Sequence, residues 1–259
     1  MKVNPDAPCF RGAFYRVFYL PETDSTNTRM KAWLQGQCPP EIETAPQPFD
    51  LLVAGRQTAG RGRLGRQFLS PEGGLYFSVL IREADPEKAS RLTPPCAAAM
   101  IDALDSAGVH GVGVKWVNDL YKNSRKVAGI LCEYTYGHVV CGIGLNVTAP
   151  PGGFPPEAGM AGALGIDPIP PEPLLDRFMK MLRAYQSHPE EALAVYRARD
   201  ILKGRQVTVK RGSETFAGTS LGVDSDFSLL VSREDRIERL TSGEVIHVSM
   251  EEDDARGTV

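Results

Sequence analysis

The sequence predicts an α+β fold, with a large mixed domain over residues 1–202 and a small all-β module over residues 203–249. Two observations lead to this prediction. Up to residue 202, strand-like apolar runs are interspersed with helical patterns. After Gly204, short strand-like runs are separated by turn residues at close spacing, which is typical of a small β-barrel or sandwich. Residues 250–259 are acidic and are expected to form a disordered tail.

The elements of the first domain follow from apolar periodicity and turn residues. A strand over residues 14–20 leads into a cluster of N-cap residues, Thr23-Asp24-Ser25-Thr26, from which a helix should run to Leu34. Residues 36–50 hold four prolines and are expected to form a loop. Further strands are predicted over residues 51–54, 75–81, 112–117, 126–134 and 139–147, and helices over residues 94–104, 174–185 and 190–202.

The composition excludes several function classes. The 259 residues are 42% hydrophobic, which is enough to bury the core of one large or two modest domains. The formal net charge of −3 argues against bulk binding to DNA or RNA, which needs a broad basic surface. No apolar stretch approaches the ~20 residues that span a bilayer, and the N-terminus lacks the apolar core of a secretion signal. A cytoplasmic location without membrane contact is therefore expected.

The cysteines indicate a reducing compartment. There are five of them, an odd number, and no Cys-x-x-Cys pair occurs. This spacing favours free thiols over a disulfide framework, and no metal site is predicted from it. Cys132 and Cys141 lie in strand-like runs and are predicted to be core residues.

The most informative segment is Ala-Gly-Arg-Gly-Arg-Leu-Gly-Arg, residues 59–66, which lies between two predicted strands. Glycine lets backbone N–H groups approach an anion closely, and arginine offers fork-shaped donors. Arg-Gly repeats also occur in disordered nucleic-acid-binding tails, but this one is short and flanked by apolar strands. The segment therefore predicts a site for a phosphate or a carboxylate, with a plain solvated loop as the alternative.

Two further patterns also indicate an anion site. Lys115 lies in the apolar run 112–117 and is followed by Asn118-Asp119, a predicted turn. A buried ammonium needs an anionic partner or a lowered pKa, although a surface lysine beside a turn is the simpler reading. The helix start Ser25-Thr26-Asn27 offers hydroxyls and free N–H groups, which serve either capping or recognition.

Glycines interrupt the last strand of the first domain. Gly142 and Gly144 remove side chains from an apolar strand, which suggests that another group lies close to the backbone. Asn146 can both donate and accept hydrogen bonds, as the edge of an adenine requires. A β-bulge with a turn asparagine is the alternative. A dinucleotide-binding loop fits poorly, since a third glycine and a following helix are missing.

Taken together, these residues resemble the biotin protein ligases in order and approximate spacing. The resemblance extends from residue 14 to residue 248. It rests on Ser25-Thr26-Asn27, Gln57 with residues 59–66, Lys-Trp-Val-Asn-Asp-Leu-Tyr at 115–121, Lys-Val-Ala-Gly-Ile-Leu at 126–131, and Gly142-x-Gly144-x-Asn146.

The resemblance implies a mixed-sheet catalytic domain similar to class II aminoacyl-tRNA synthetases, followed by an SH3-like barrel. The expected activity joins biotin to ATP, with Mg²⁺, to form biotinyl-5′-AMP and pyrophosphate. The biotinyl group then passes to one lysine of a biotin carboxyl carrier domain of a biotin-dependent carboxylase. Because no segment before the ligase domain could hold a helix-turn-helix, a short form that does not bind DNA is expected, as a monomer or a homodimer.

The resemblance also assigns roles to residues. Lys115 and Arg63 are expected to be catalytic, and no protein-bound metal is expected. The expected biotin-binding residues are Ser25, Thr26, Asn27, Gln57, Arg61, Gly62, Arg63, Lys115, Gly129 and Gly144. The expected nucleotide-binding residues are Arg61, Arg63, Asn118 and Asn146.

The chain departs from the family pattern at three positions. Leu64 replaces a frequent arginine, Phe68 replaces tryptophan, and Val117 replaces proline. The residues that pack against the adenine are not assigned, although Met160 and Leu164 lie in the proline- and glycine-rich loop where they are expected.

Two alternatives remain open. A lipoate or octanoate ligase or transferase of related fold would carry a similar lysine motif, although the Arg-Gly loop favours biotin. A non-catalytic RNA-binding module would use the same loop, but the acidic net charge opposes it.

Overall fold

The computed structural model describes residues 12–39, 42–83, 85–165, 170–234 and 236–249. The predicted acidic tail at 250–259 lies outside these ranges. Within them, the chain forms two sheets and five α-helices, so the α+β prediction is confirmed. No described helix is both long and apolar enough to cross a membrane.

The first sheet has seven strands. In chain order, its elements and the helices around it are β1 (Val17–Thr23), α1 (Thr26–Leu34), β2 (Leu51–Gln57), β3 (Leu75–Arg82), α2 (Pro86–Ser90), α3 (Thr93–Ser106), β4 (Gly113–Lys115), β5 (Asp119–Lys122), β6 (Arg125–Thr135), β7 (His138–Leu145), α4 (Pro171–Ser187) and α5 (Pro189–Ala198). The strand order is β1-β2-β3-β7-β6-β5-β4. Only β1 and β2 are parallel neighbours, and the other neighbours are antiparallel, so the sheet is mixed.

Helices cover the two faces of this sheet unequally. On one face, α3 buries ten residues and α4 buries six, and Phe178 of α4 meets Phe77 of β3 edge to face at 5.3 Å. On the other face lies α1, whose Met30 and Trp33 are almost fully buried. Because the single helix α1 is short, part of this second face is left free for a cleft.

The second sheet has five antiparallel strands. They are β8 (Gln206–Arg211), β9 (Glu214–Val223), β10 (Leu229–Arg233), β11 (Arg236–Leu240) and β12 (Glu244–Val248), in the order β11-β10-β9-β8-β12. The connection between β9 and β10 packs against α5 through Phe227, whose ring lies 5.5 Å from that of Tyr196. The indole of Trp116 donates a hydrogen bond to the Phe227 carbonyl at 3.0 Å. This contact places the second sheet beside the residue that follows Lys115.

The predicted elements differ from the structure mainly where elements are short. The strand predicted over residues 112–117 is only Gly113–Lys115, because a turn begins at Trp116. The peptide bond between Trp116 and Val117 is cis. Three elements were not predicted: α2 has five residues, β5 has four, and β11 is largely charged. Segments this short or this polar show no apolar periodicity.

Candidate functional site

A cleft of about 130 Å³ opens on the α1 face of the first sheet. Among the residues that line it are Ser25, Thr26, Asn27, Gln57, Arg61, Gly62, Arg63, Lys115, Asn118, Gly129 and Gly144. Arg63 and Lys115 come from separate segments and share this cleft. Of the sequence-predicted site residues, only Asn146 is not in its lining.

The start of α1 forms one end of the cleft. Gln57 Oε1 accepts hydrogen bonds from the Thr26 backbone N–H at 2.8 Å and from its hydroxyl at 3.2 Å. Gln57 Nε2 donates to the Ser70 hydroxyl at 2.7 Å. Ser25 is the N-cap residue, but its side chain makes no capping hydrogen bond. Its hydroxyl, buried at the cleft, is therefore not used to hold the helix.

Asn27 is held in a fixed orientation. Its Nδ2 donates to the Leu131 carbonyl at 3.1 Å and to Glu133 Oε2 at 2.9 Å, so both amide hydrogens are used. Its Oδ1 accepts from the Ser78 hydroxyl at 2.6 Å. The Asn27 side chain thus links α1 to β3 and β6 through hydrogen bonds. Sequence reasoning missed Ser78, whose signal was a lone hydroxyl in an apolar strand.

Glu133 connects three groups near this end of the cleft and was not predicted. Besides Asn27, it pairs with Lys31 Nζ at 2.8 Å and with an Arg61 guanidinium nitrogen at 3.2 Å. Burial raises the pKa of Glu133, but the hydrogen bonds and the charges of Lys31 and Arg61 outweigh this effect. The net pKa lies below the usual glutamate value, so the group is a carboxylate that holds Arg61 in place.

The lowered pKa of Glu133 predicts a pH-dependent loss of stability. A group with a depressed folded-state pKa contributes stability above its unfolded pKa of about 4.3, and this stability is lost as the pH falls further. We expect wild type to be more stable than Glu133→Gln at pH 6, with the difference shrinking below about pH 4.3. Denaturant unfolding from pH 6 to pH 3 measures it, with exposed Glu43→Gln as the control. A difference that is independent of pH would contradict this assignment.

The cationic loop reaches the second sheet. Arg63 donates to Asn118 Oδ1 at 2.9 Å and to the Gly243 carbonyl at 3.0 Å. Arg66 forms a two-pronged ion pair with Glu244. Leu64 has a left-handed φ of 56° and is 76% exposed, so it contributes no packing to the loop. Arg63 and Arg66 therefore fix the loop at two points. Glu244, the partner of Arg66, was not predicted because it lies in the other sheet.

Lys115 is half-buried at the end of β4. Burial lowers the pKa of Lys115; the carboxylates of Asp119 and Glu244 raise it in part, while the cations of Lys126 and Arg66 lower it. Lys126 forms its own ion pair with Asp119 at 2.7 Å. An anion bound in the cleft would therefore stabilise the charged form of Lys115.

The strand glycines make room for an aromatic ring. A methyl group on Gly144 would lie 2.4 Å from a Phe68 ring carbon, and one on Gly129 would lie 3.0 Å from that ring. Gly142 serves a different purpose, since a methyl group there would lie 2.2 Å from Asn27 Oδ1. Phe68 thus forms an aromatic wall over two glycines.

Asn146 lies just beyond β7 and is buried. Its Nδ2 donates to the Gly162 carbonyl at 3.0 Å, while its Oδ1 is buried without a hydrogen-bond partner among the described residues. Leu164 N–H donates to the Asn146 carbonyl at 2.9 Å, and Leu164 is buried, whereas Met160 is 53% exposed. A buried acceptor without a partner is costly, so a bound ligand or a water molecule would have to supply the donor.

Two family models match the chain. One, the biotin/lipoate A/B protein ligase family, matches residues 20–146, and the other, the biotin protein ligase C-terminal domain, matches residues 203–248. The biotin–[acetyl-CoA-carboxylase] ligase of Mycobacterium tuberculosis is 31% identical over 209 residues, with coverage of 76% of this chain and 79% of the relative. The chain belongs to the biotin protein ligase family.

Further comparisons also show similarity to ligases of this family. The bifunctional ligase/repressor BirA of Bacillus subtilis is 32% identical over 213 residues and matches 75% of this chain, which spans 65% of that relative's length. The structure of the biotin protein ligase from Aquifex aeolicus in complex with biotin and ATP superposes with a TM-score of 0.74 at 30% identity. That comparison covers 88% of this chain and 96% of the Aquifex ligase chain.

Proposed function

We propose that this protein is an ATP-dependent biotin protein ligase, which activates biotin as biotinyl-5′-AMP and transfers it to a carrier lysine. The observation that carries the proposal is the convergence of Arg63 and Lys115, from two separate segments, in one cleft with a polar end and a glycine-backed wall. Such a cleft can hold a small acid against a nucleotide.

Biotin would lie along the α1 side of the cleft. A ureido group needs both donors and acceptors, which Ser25, Thr26 and Gln57 supply. The flat bicycle would pack against the Phe68 ring, which itself rests on the strand backbone at Gly129 and Gly144. Asn27 and Glu133 would act as positioning residues, since their polar atoms are engaged within the protein.

The first chemical step joins two anions. A carboxylate oxygen of biotin attacks the α-phosphorus of ATP, and the bond to pyrophosphate breaks. Lys115 is placed to neutralise the repulsion between carboxylate and phosphate and to stabilise the charge of the transition state. Arg63, fixed by Asn118 and Gly243, offers a second cation in the same cleft.

The second step transfers the acyl group. The amine of a carrier lysine attacks the acyl carbon, and AMP leaves. Because the mixed anhydride is sensitive to water, it must be shielded until the carrier arrives. Residues 61–66, which connect the two sheets through Arg63 and Arg66, are proposed to close over it.

Mg²⁺ is proposed to enter with the nucleotide. This ion prefers oxygen ligands, keeps several waters, and is usually bound by few carboxylates together with substrate phosphates. At the cleft the carboxylates of Asp119 and Glu244 are already ion-paired with Lys126 and Arg66. The nucleotide phosphates would therefore be the main ligands of the ion, which would supply charge neutralisation there.

Several finer assignments stay predictions. These are the domain boundary at 202/203, the synthetase-like and SH3-like classification of the two parts, and the choice between monomer and homodimer. The proposed partner is a biotin carboxyl carrier domain, in keeping with the carboxylase-directed ligases to which the chain is similar. A cytoplasmic location is supported by the free thiols of the described cysteines.

The unpartnered acceptor of Asn146 predicts its role toward adenosine. If Asn146 Oδ1 accepts a hydrogen bond from the adenine amino group, Asn146→Ala should raise the KM for ATP about tenfold. The KM for biotin should change little. Steady-state kinetics with each substrate varied in turn checks this, and an equal rise in both values would contradict it.

One mass measurement tests the proposed function. The protein is incubated with biotin, Mg-ATP and a carrier domain, and a gain of one biotinyl group on the carrier is expected. The lipoate alternative rests on the breadth of the matching family model. Lipoate in place of biotin should leave the carrier unmodified, and modification by lipoate alone would overturn the proposal.

A further inference from the structure

Three cysteines from three different elements lie close together in the structure. Cys96 lies in α3, and Cys132 and Cys141 lie opposite each other on β6 and β7. Their sulfur atoms all lie within 4.8 Å of one another. The sequence indicated no metal site, because Cys-x-x-Cys spacing is absent, but here the hairpin and the helix supply the proximity instead.

The hairpin explains why two of these thiols face each other. The turn at Tyr136-Gly137 pairs Thr135 with His138, and the register continues without a bulge to Cys132 and Cys141. In a hairpin with a two-residue turn, the pair that closes the turn is hydrogen-bonded, and the pairs beyond it alternate between non-hydrogen-bonded and hydrogen-bonded. Cys132 and Cys141 are three pairs beyond the closing pair, so they form a non-hydrogen-bonded pair, in which side chains approach most closely. Both thiols therefore project together toward α3.

The cluster has the character of a ligand set. Cys96 and Cys141 are fully buried and Cys132 is partly buried, so the three sulfurs are shielded by the core. The thiolate of cysteine is the metal ligand, and here three sulfur atoms from three different elements converge on one point.

We propose that Cys96, Cys132 and Cys141 bind one soft, thiophilic cation, either Cu(I) or Zn²⁺. An ion about 2.3 Å from each sulfur needs sulfur–sulfur separations of about 4 Å, which side-chain adjustments of less than about 1 Å would provide. Soft thiolate ligands select these two ions over Mg²⁺ or Ca²⁺. Each thiol still protonated releases its proton when its sulfur joins the metal, so binding should strengthen as the pH rises.

The site lies on the opposite side of the sheet from the cleft. Cys132 lies between Leu131 and Glu133, which both accept hydrogen bonds from Asn27. Cys141 precedes Gly142, where an added methyl group would meet Asn27. The proposed ion would therefore sit behind the proposed biotin wall. It is distinct from the magnesium expected with ATP, which needs oxygen ligands on the other face.

The test is a metal titration of the full-length, reduced protein under nitrogen, without biotin or ATP. Zn²⁺ and Cu(I) are titrated separately, each against a competing chelator, and stoichiometric binding of either ion supports the site. We expect one equivalent per chain, and a loss of affinity of at least about tenfold in Cys96→Ser, Cys132→Ser and Cys141→Ser. Exposed Cys38→Ser is the matched control and should bind as wild type does.

Folding is checked separately for each variant by its thermal melting in the absence of metal. Cys132→Ser is the decisive variant, since Cys132 is the least buried residue of the three. The proposal is wrong if wild type binds less than half an equivalent of Zn²⁺ and also less than half an equivalent of Cu(I). It is also wrong if Cys132→Ser binds as tightly as wild type. Because the readout is binding, the result is independent of ligase activity.

Discussion

Replacing Lys115 with alanine is expected to lower the rate of biotinyl-adenylate formation by at least about 10²- to 10³-fold. Lys115 is a half-buried cation of the cleft, and burial lowers its pKa. Its charge is therefore poorly compensated until an anion binds. Its removal leaves the carboxylate–phosphate repulsion to Arg63, which is already engaged with Asn118 and Gly243. Pyrophosphate release measured with biotin and Mg-ATP gives the rate directly.

The control for this experiment is Lys122→Ala. Lys122 lies on β5 of the same hairpin, outside the residues that line the cleft, and its loss should leave the rate close to wild type. Lys115→Met retains most of the side chain's apolar stem, so it separates lost charge from lost packing and should be as inactive as Lys115→Ala. Turnover near wild type in either Lys115 variant, with a normal melting temperature, would refute the catalytic role.

The sequence predicted the class of the fold because long apolar runs and turn residues are local signals. It could not predict the strand order, in which β7 lies between β3 and β6, since that order depends on pairing between distant segments. The longest predicted strands and helices agree with the structure to within a few residues. The short strand β5 and the charged strand β11 carry too few apolar residues to be recognised.

Within the candidate site, the residues that were predicted are those that break a local rule. Lys115 is a charge in an apolar run, and the arginines of the loop lie among glycines. Glu133 and Glu244 break no such rule, because a glutamate near a strand end normally faces solvent. Their partners Lys31, Arg61 and Arg66 lie far away in the sequence, so only the folded chain reveals them.

A single methyl group at Gly144 should raise the dissociation constant for biotin by about tenfold or more. The added carbon would lie 2.4 Å from the Phe68 ring, which must then move into the space proposed for the bicycle. Overpacking of this kind costs about 1–3 kcal/mol, and each 1.4 kcal/mol is a factor of about ten. Calorimetric titration of Gly144→Ala with biotin measures the effect.

The reason given for this effect can be tested with a double variant. In a Phe68→Ala background the ring is absent, so the Gly144→Ala substitution should lower the melting temperature less than it does in wild type. Biotin affinity should stay low in both variants that lack the ring, because the aromatic wall is gone. If Gly144→Ala binds biotin as wild type does, the bicycle does not pack against Phe68, and the proposed orientation of biotin in the cleft is wrong.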